Sequence, residues 1–206
     1  MDPGRASLDA AMEPLDPEVV PPSTLRPLRR AEYDRLVAAG VFDDERLELL
    51  YGRLVAMRPQ GQRHVWSVRR LNNLLAVAVA GRAQVQCQGP VAASDESEPE
   101  PDVVILPPGD FLDDHAHDAL LVIEVADSSR LKDLRLKARL YAEMGIADYW
   151  VLDLSRDELV VHRGPEAGRY GEVVSHGAGA AVAPLAFPDV VVRVAEILPP
   201  APAATP

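Results

Sequence analysis

The sequence contains a single cysteine, Cys87, and no apolar run long enough to cross a bilayer. One thiol cannot form an intramolecular disulfide, and it offers no cysteine pattern for zinc or an iron–sulfur cluster. The absence of a long apolar run argues against a membrane-spanning helix. The N-terminal residues, MDPGRAS, also lack the basic and then apolar pattern of a secretory signal. We therefore expect a cytoplasmic protein with no membrane partner.

The two ends of the chain differ in composition from its middle. Residues 1–24 are rich in proline, alanine and acidic residues without a sustained period, which predicts a flexible leader. Residues 198–206 form a proline-rich tail that we expect to be disordered. Residues 25–197 then form one domain, which is long enough for a full hydrophobic core.

The net charge of −11 at pH 7 argues against a nucleic-acid partner, because contacts with phosphates dominate that affinity. The charges are unevenly distributed, however. Nine acidic residues lie within 95–118, whereas residues 130–139 carry five basic side chains against one acid, Asp133. A local basic face can bind DNA on an acidic protein, helped by metal ions that offset its carboxylates. The charge weakens the case for a nucleic-acid partner without excluding one.

Hydrophobic periodicity predicts an α/β domain with a mixed sheet. Three helices, each followed by a glycine, are expected over residues 30–39, 64–80 and 131–144. Strands are expected at residues 47–50, 53–57, 83–88, 91–94, 103–106, 120–125, 149–153, 158–163, 170–174 and 190–194.

Two acidic side chains in the middle of the chain accompany apolar runs. Asp102 begins the run 103–106, and Glu124 interrupts the run 120–125. Carboxylates are almost never buried without a partner or a metal, because removing a charge from water is costly. If the two strands are neighbours, these acids suit Mg²⁺, which binds one or two carboxylates together with waters and substrate oxygens. The backbone carbonyl of Val125 is a third candidate ligand.

A lysine lies further along the chain, on the predicted helix 131–144. Asp133, Lys137 and Tyr141 recur every four residues and therefore share one face of that helix. A lysine beside two metal-binding acids can orient or polarise an attacking water, which favours phosphodiester hydrolysis. From the helix pattern alone, a surface ion pair between Asp133 and Lys137 is the stronger alternative.

Five short motifs occur in this chain in a characteristic order. They are the pair Pro101-Asp102, the turn from Val122 to Ser129, the helix residues Asp133, Lys137, Tyr141 and Gly145, the strand Tyr149–Asp153, and the hairpin Leu47–Leu54. Together they resemble the Uma-two family of restriction endonucleases, a branch of the PD-(D/E)xK nuclease superfamily. His64 also matches the histidine with which that family opens its next helix. The resemblance covers roughly residues 28–196.

The resemblance implies a restriction-endonuclease-like fold, with a mixed β-sheet core flanked by helices. It also implies a Mg²⁺ site, with Mn²⁺ as the alternative ion, at Asp102 and Glu124, and it makes Lys137 the catalytic lysine. Glu48 would bind a second metal or hold Lys137 in place. The simple E-x-K of the superfamily is missing, because Ala126 stands two residues after Glu124. Lys137 would therefore act from the helix, as the family's pattern also has it.

Each of these residues has a structural alternative. Asp102 can simply start a strand or cap a turn after its proline, and Glu48 can face solvent on an alternating hairpin. His64 can be a helix-start residue or a packed core group. A buried Glu124 is the hardest to explain without a function.

The remaining basic residues of the helix, Lys132, Arg135 and Arg139, fall on a different face from Lys137. They can touch phosphates that flank the scissile bond, but a solvated stripe is the commoner explanation. No base-reading element is recognisable, so sequence specificity cannot be argued from this chain.

The sequence thus predicts a metal-dependent endonuclease that hydrolyses the phosphodiester bonds of DNA. RNA or branched DNA stays open as the substrate, and so does a homodimer, since many nucleases dimerise to cut both strands. The alternative is a non-catalytic nucleic-acid-binding or assembly module that retains the nuclease fold.

Overall fold

The structure is a computed structural model that describes residue 21 and residues 24–112 and 114–200. The leader predicted over residues 1–24 lies almost entirely outside these residues, as do residues 201–206 of the predicted tail. Leu198, the first residue of that tail, is buried in the core, and its amide donates to the carbonyl of Val194. The packed core therefore reaches one residue beyond the predicted boundary at 197.

The described residues form ten strands, four α-helices and a π-helical segment. The strands are β1 (Leu47–Leu50), β2 (Arg53–Ala56), β3 (Gln84–Cys87), β4 (Val103–Leu106), β5 (Leu121–Ala126), β6 (Asp148–Asp153), β7 (Glu158–Glu166), β8 (Arg169–Gly177), β9 (Ala181–Val182) and β10 (Val192–Arg193). The helices are α1 (Arg30–Ala38), α2 (Gln62–Ala78), the π-helical segment (Lys132–Lys137), α3 (Ala138–Glu143) and α4 (Val194–Ile197). Among these helices, none has both the length and the apolar character needed to cross a membrane.

Six strands form one sheet in the order β3-β4-β5-β6-β7-β8. Only the β5–β6 pair is parallel, and the other neighbours are antiparallel. A parallel pair needs a crossover connection, which the π-helical segment and α3 supply here. Two small hairpins, β1–β2 and β9–β10, stand outside this sheet. The predicted α/β architecture, with helices flanking a mixed sheet, is confirmed.

Helices cover both faces of the sheet. Successive side chains of a strand point to opposite sides, so the continuous apolar strands make both faces apolar. One face packs on α2, with Leu71 and Leu75 in the same cluster as Ile123. The other face packs on α3, with Tyr141 in the same cluster as Val122. Burial on both faces explains why β5 is a continuous apolar run apart from Glu124.

Three predicted elements differ from the structure. Residues 91–94 form no strand, and the apolar Val91 is instead buried in an irregular segment whose amides bond to neighbouring loops. The strand expected at 190–194 is only two residues long, because the chain turns into α4. The helix expected over 131–144 is not α-helical throughout, since its first part is the π-helical segment.

Candidate active site

Asp102 and Glu124 lie at opposing positions on neighbouring strands. Val103 pairs with Ile123 at the end of the antiparallel β4–β5 ladder, so one further step of the register sets Asp102 against Glu124. Both side chains are buried, with 8% and 3% of their surface exposed. Two opposed carboxylates destabilise a strand pair by repulsion, so this arrangement favours a cation between them. The amide of Val125 donates to Asp102 Oδ2 over 2.8 Å, which holds that carboxylate at the strand edge.

Lys137 reaches the same place from the helix. Its Nζ lies 2.8 Å from Glu124 Oε1 and 2.9 Å from Glu48 Oε2. The hydroxyl of Tyr141, one turn later, also donates to Glu124 Oε1 over 2.9 Å. The predicted alternative of a surface ion pair with Asp133 is wrong, because both side chains are buried and Lys137 pairs with the other two acids.

The π-helical segment brings a second lysine to the site. The amide of Ala138 donates to the carbonyl of Asp133, five residues earlier, which defines the wider turn. In an α-helix, Lys132 and Lys137 would stand about 140° apart around the axis. Here they share one side, and Lys132 Nζ lies 2.6 Å from Glu48 Oε1. The prediction that Lys132 faces away from Lys137 is therefore wrong.

Glu48 lies behind the two lysines, on the buried strand β1. The alternative in which it faces solvent is wrong, because only 1% of its surface is exposed. Burial by itself would raise the pKa of Glu48, but Lys137 and Lys132 together lower that pKa below its ordinary value. An ionised Glu48 can therefore hold both ammonium groups in place.

The electrostatics of the site keep Lys137 protonated. Burial opposes its charge, but Glu124, Glu48 and Asp133 together raise the pKa of Lys137 above its ordinary value. Burial also raises the pKa of Glu124 to about 8, although the neighbouring Lys137 acts in the opposite direction. Lys137 is thus a hydrogen-bond donor in the resting site and not a base.

His64 lies in the first turn of α2 and contacts Asp102. Its Nε2 is 3.1 Å from Asp102 Oδ2, and the side chain is almost fully buried. The other ring nitrogen, Nδ1, is buried and finds no hydrogen-bond partner among the residues that the structure describes. His64 therefore packs at its helix start, as the structural alternative proposed, and it also orients one of the two acids.

A cleft of about 440 Å³ opens over these residues, and we call it the active-site cleft. Its lining includes His64, Asp102, Glu124, Lys132 and Lys137. Glu48 does not line the cleft, which fits a role in holding the lysines better than direct contact with a second metal. Within residues 24–112 and 114–200, no three His, Cys, Asp or Glu side chains converge as a metal cage. Two carboxylates completed by waters and substrate oxygens are nevertheless the usual protein contribution to Mg²⁺.

Sequence reasoning missed the role of Lys132, because helical spacing assumes a regular α-helix. The neighbouring contacts that support the π-helical segment were also not predicted. Ser129 Oγ donates to Asp133 Oδ2, and the hydroxyl of Tyr149 donates to the carbonyl of Asp133 over 2.9 Å. The sequence signal for this turn is that residues 129–133 are mostly polar, whereas the helix that follows has an apolar face.

Comparisons with known proteins identify the family and the fold of this chain. The family model Uma2, described as "Putative restriction endonuclease", matches residues 30–195. Among solved structures, the chain is similar to a putative nuclease belonging to DUF820 from Anabaena variabilis, with a TM-score of 0.65 and 15% sequence identity. That similarity covers 83% of this chain and 97% of the other, and at this identity it shows the fold alone. No curated protein matches the sequence. Because the family model spans most of the described domain, the chain belongs to the Uma2 family of nuclease-like proteins.

Proposed function

We propose that the protein is a metal-dependent endonuclease that hydrolyses the phosphodiester bonds of DNA. The observation that carries this proposal is the meeting of Asp102, Glu124 and Lys137, from two strands and a helix, in one cleft. Membership of the Uma2 family supports the reaction class. A cytoplasmic location belongs to the same proposal.

Asp102 and Glu124 would hold the metal ion. Their oxygens are hard donors that suit Mg²⁺ and Mn²⁺, and the opposed register sets both on the same side of the sheet. The carbonyl of Val125 would add a third oxygen, since its amide already points toward Asp102 at this strand edge. Such an ion supplies charge stabilisation at a phosphoryl oxygen and a more acidic bound water.

Lys137 would act as a fixed cation beside the scissile phosphate. Because its pKa is raised, it keeps its proton and donates to the attacking water or to a non-bridging phosphate oxygen. Glu48 and Lys132 would act through Lys137, because the carboxylate of Glu48 bridges the two ammonium groups. These residues hold the donor at a set position before the substrate arrives.

The alternative is a non-catalytic nucleic-acid-binding or assembly module. The overall charge of −11 and the missing E-x-K lysine favour it, but neither accounts for a buried Lys137 between two acids. RNA and branched DNA are the other substrates to test, and a homodimer is the assembly to test.

The deciding experiment is a cleavage assay with Mg²⁺ or Mn²⁺ on plasmid, single-stranded DNA, branched DNA and RNA. Wild type is compared with Glu124→Gln and with the control Glu172→Gln, which changes an exposed acid on β8. We expect cleavage by wild type and the control, and a loss of about 100-fold or more in Glu124→Gln. Equal cleavage by all three proteins would remove the proposed site. Nucleic-acid binding without metal-dependent cleavage by any of them would favour the binding module.

A further inference from the structure

A second cleft, of about 760 Å³, lies between the helix that carries Lys137 and the β7–β8 end of the sheet. The helix side of this cleft includes Leu134, Arg135 and Ala138, and the sheet side includes His162 and Tyr170. We call it the basic groove, because of the charges described next.

Arginine dominates the groove. Five of its lining residues are Arg130, Arg135, Arg139, Arg156 and Arg169. Only two acids, Glu143 and Glu158, line it as well, although the whole chain carries a net charge of −11. A groove lined by one sign of charge concentrates ligands of the opposite sign, even on a protein of unfavourable overall charge.

Three of these arginines are free to bind a ligand. The side chains of Arg135, Arg156 and Arg169 are exposed, and none forms an ion pair or a hydrogen bond with the residues described by the structure. Guanidinium groups recognise phosphate with two parallel N–H donors. Unpaired arginines at a groove therefore favour a phosphate ligand over an uncharged, apolar ligand.

Arg130 connects the two clefts, because it lines both of them. Its Nε donates to the fully buried carboxylate of Asp153, which fixes the side chain. Its remaining guanidinium N–H groups have no partner among the described residues. A ligand leaving the active-site cleft would therefore meet a positioned donor before it enters the basic groove.

A buried histidine forms part of the sheet side of the groove. His162 lines the groove with only 4% of its surface exposed. Its ring lies against two aromatic neighbours, 5.2 Å from Tyr149 and 5.5 Å from Tyr170 between ring centroids. The sheet side of the groove is therefore packed by aromatic rings, and the arginines supply its charge.

We propose that the basic groove binds the phosphate backbone of the nucleic-acid strand that is cut, on one side of the scissile bond. The proposal rests on the proposed function for the identity of the polymer. Arg130 takes the phosphate at the junction, and Arg135, Arg156 and Arg169 take those that follow along the strand. These contacts position the strand without reading bases. The groove is thus the surface that lets an acidic chain hold a polyanion.

Binding is measured by fluorescence anisotropy in chelator, with labelled single-stranded and duplex DNA long enough to pass both clefts. The test protein combines Arg135→Ala, Arg156→Ala and Arg169→Ala. The control, which removes two charges where the test protein removes three, combines Arg53→Ala and Arg69→Ala, two exposed arginines outside both clefts. We expect the test protein to bind about tenfold or more weakly, and its salt slope to fall by about 2 to 3, since each phosphate contact contributes about 0.7–0.9. The control should bind like wild type.

Hydrolysis of bis(p-nitrophenyl) phosphate separates the two proposals, because this small diester is too short to extend from the active-site cleft into the basic groove. If the triple variant hydrolyses it as wild type does but binds DNA weakly, both proposals stand. Unchanged DNA binding in the triple variant would overturn the groove proposal, whatever the hydrolysis. Failure of wild type to bind any nucleic acid would overturn it as well. Weakened DNA binding by the triple variant, together with no hydrolysis by wild type, would support the groove proposal and overturn the proposed endonuclease function.

Discussion

Lys132 and Lys137 bind the two oxygens of one carboxylate, that of Glu48, at 2.6 Å and 2.9 Å. They stand five residues apart, and only the wider π turn places both on the same side of the helix. π turns inside α-helices are frequent at functional sites, where they change the direction of side chains. Here the turn gives a buried acid two cations and gives the active-site cleft two fixed donors.

Replacing Lys137 with methionine should lower the free energy of unfolding by about 3–5 kcal/mol, because it leaves Glu48 and Glu124 buried without their shared cation. Lys132→Met should cost less, about 1–2 kcal/mol, since that side chain is partly exposed and Glu48 keeps Lys137. Urea unfolding at pH 8 measures both changes. Equal losses in the two variants would contradict the central position of Lys137.

Mg²⁺ or Mn²⁺ should stabilise the protein by binding the folded state at Asp102 and Glu124. At a free metal concentration of about 100 times Kd, the gain is about 2.7 kcal/mol, which raises Tm by several degrees. A thermal melt with and without metal shows this shift. Asp102→Asn and Glu124→Gln should remove it, whereas Glu172→Gln should retain it. A full shift in either site variant would place the metal elsewhere.

His64→Ala should weaken Mn²⁺ binding by about 10- to 100-fold, because His64 Nε2 orients Asp102 from 3.1 Å. Titration calorimetry measures the affinity directly. His117→Ala, which changes an exposed histidine beside Asp114, is the control and should bind like wild type. An unchanged affinity in His64→Ala, with the fold intact by circular dichroism, would reduce His64 to a packing residue.

Glu98 should make stability depend on pH near neutrality. Burial, and then the nearby Asp34, raise the pKa of Glu98 from 4.5 to about 7 in the folded protein. The folded state then holds a proton that the unfolded state has released. The stability that Glu98 contributes through this proton is therefore fully present below about pH 4.5 and is lost as the pH rises through about 7. This contribution to the free energy of unfolding is up to about 3 kcal/mol.

Urea unfolding of wild type and Glu98→Gln at pH 5, 6, 7 and 8 tests this sign. The difference in unfolding free energy between the two proteins should grow in favour of Glu98→Gln as the pH rises. A difference that stays constant over this range would show that the carboxyl of Glu98 has an ordinary pKa in the folded state.

Local sequence patterns predicted most of the fold. Strand β4 was predicted at its observed bounds, and the hairpin, α1 and the other sheet strands came within a few residues, because apolar alternation and helix-ending glycines act over short distances. The strand predicted at residues 91–94 is wrong, because an apolar stretch can be buried in an irregular segment as well as in a strand. The strand at 190–194 was too long because α4 begins there.

The sequence by itself indicated that Glu124 would be buried, because this acid interrupts a continuous apolar run of the kind typical of strands that are covered on both faces. It also set Asp102, Lys137 and Glu48 apart as chemically distinctive, through the motifs of their family. Only the tertiary structure decided that Lys132 faces the cleft, that His64 holds Asp102, and that arginines from the helix and from β8 line one groove. Those relationships depend on the winding of one turn and on packing between distant segments, which no local period encodes.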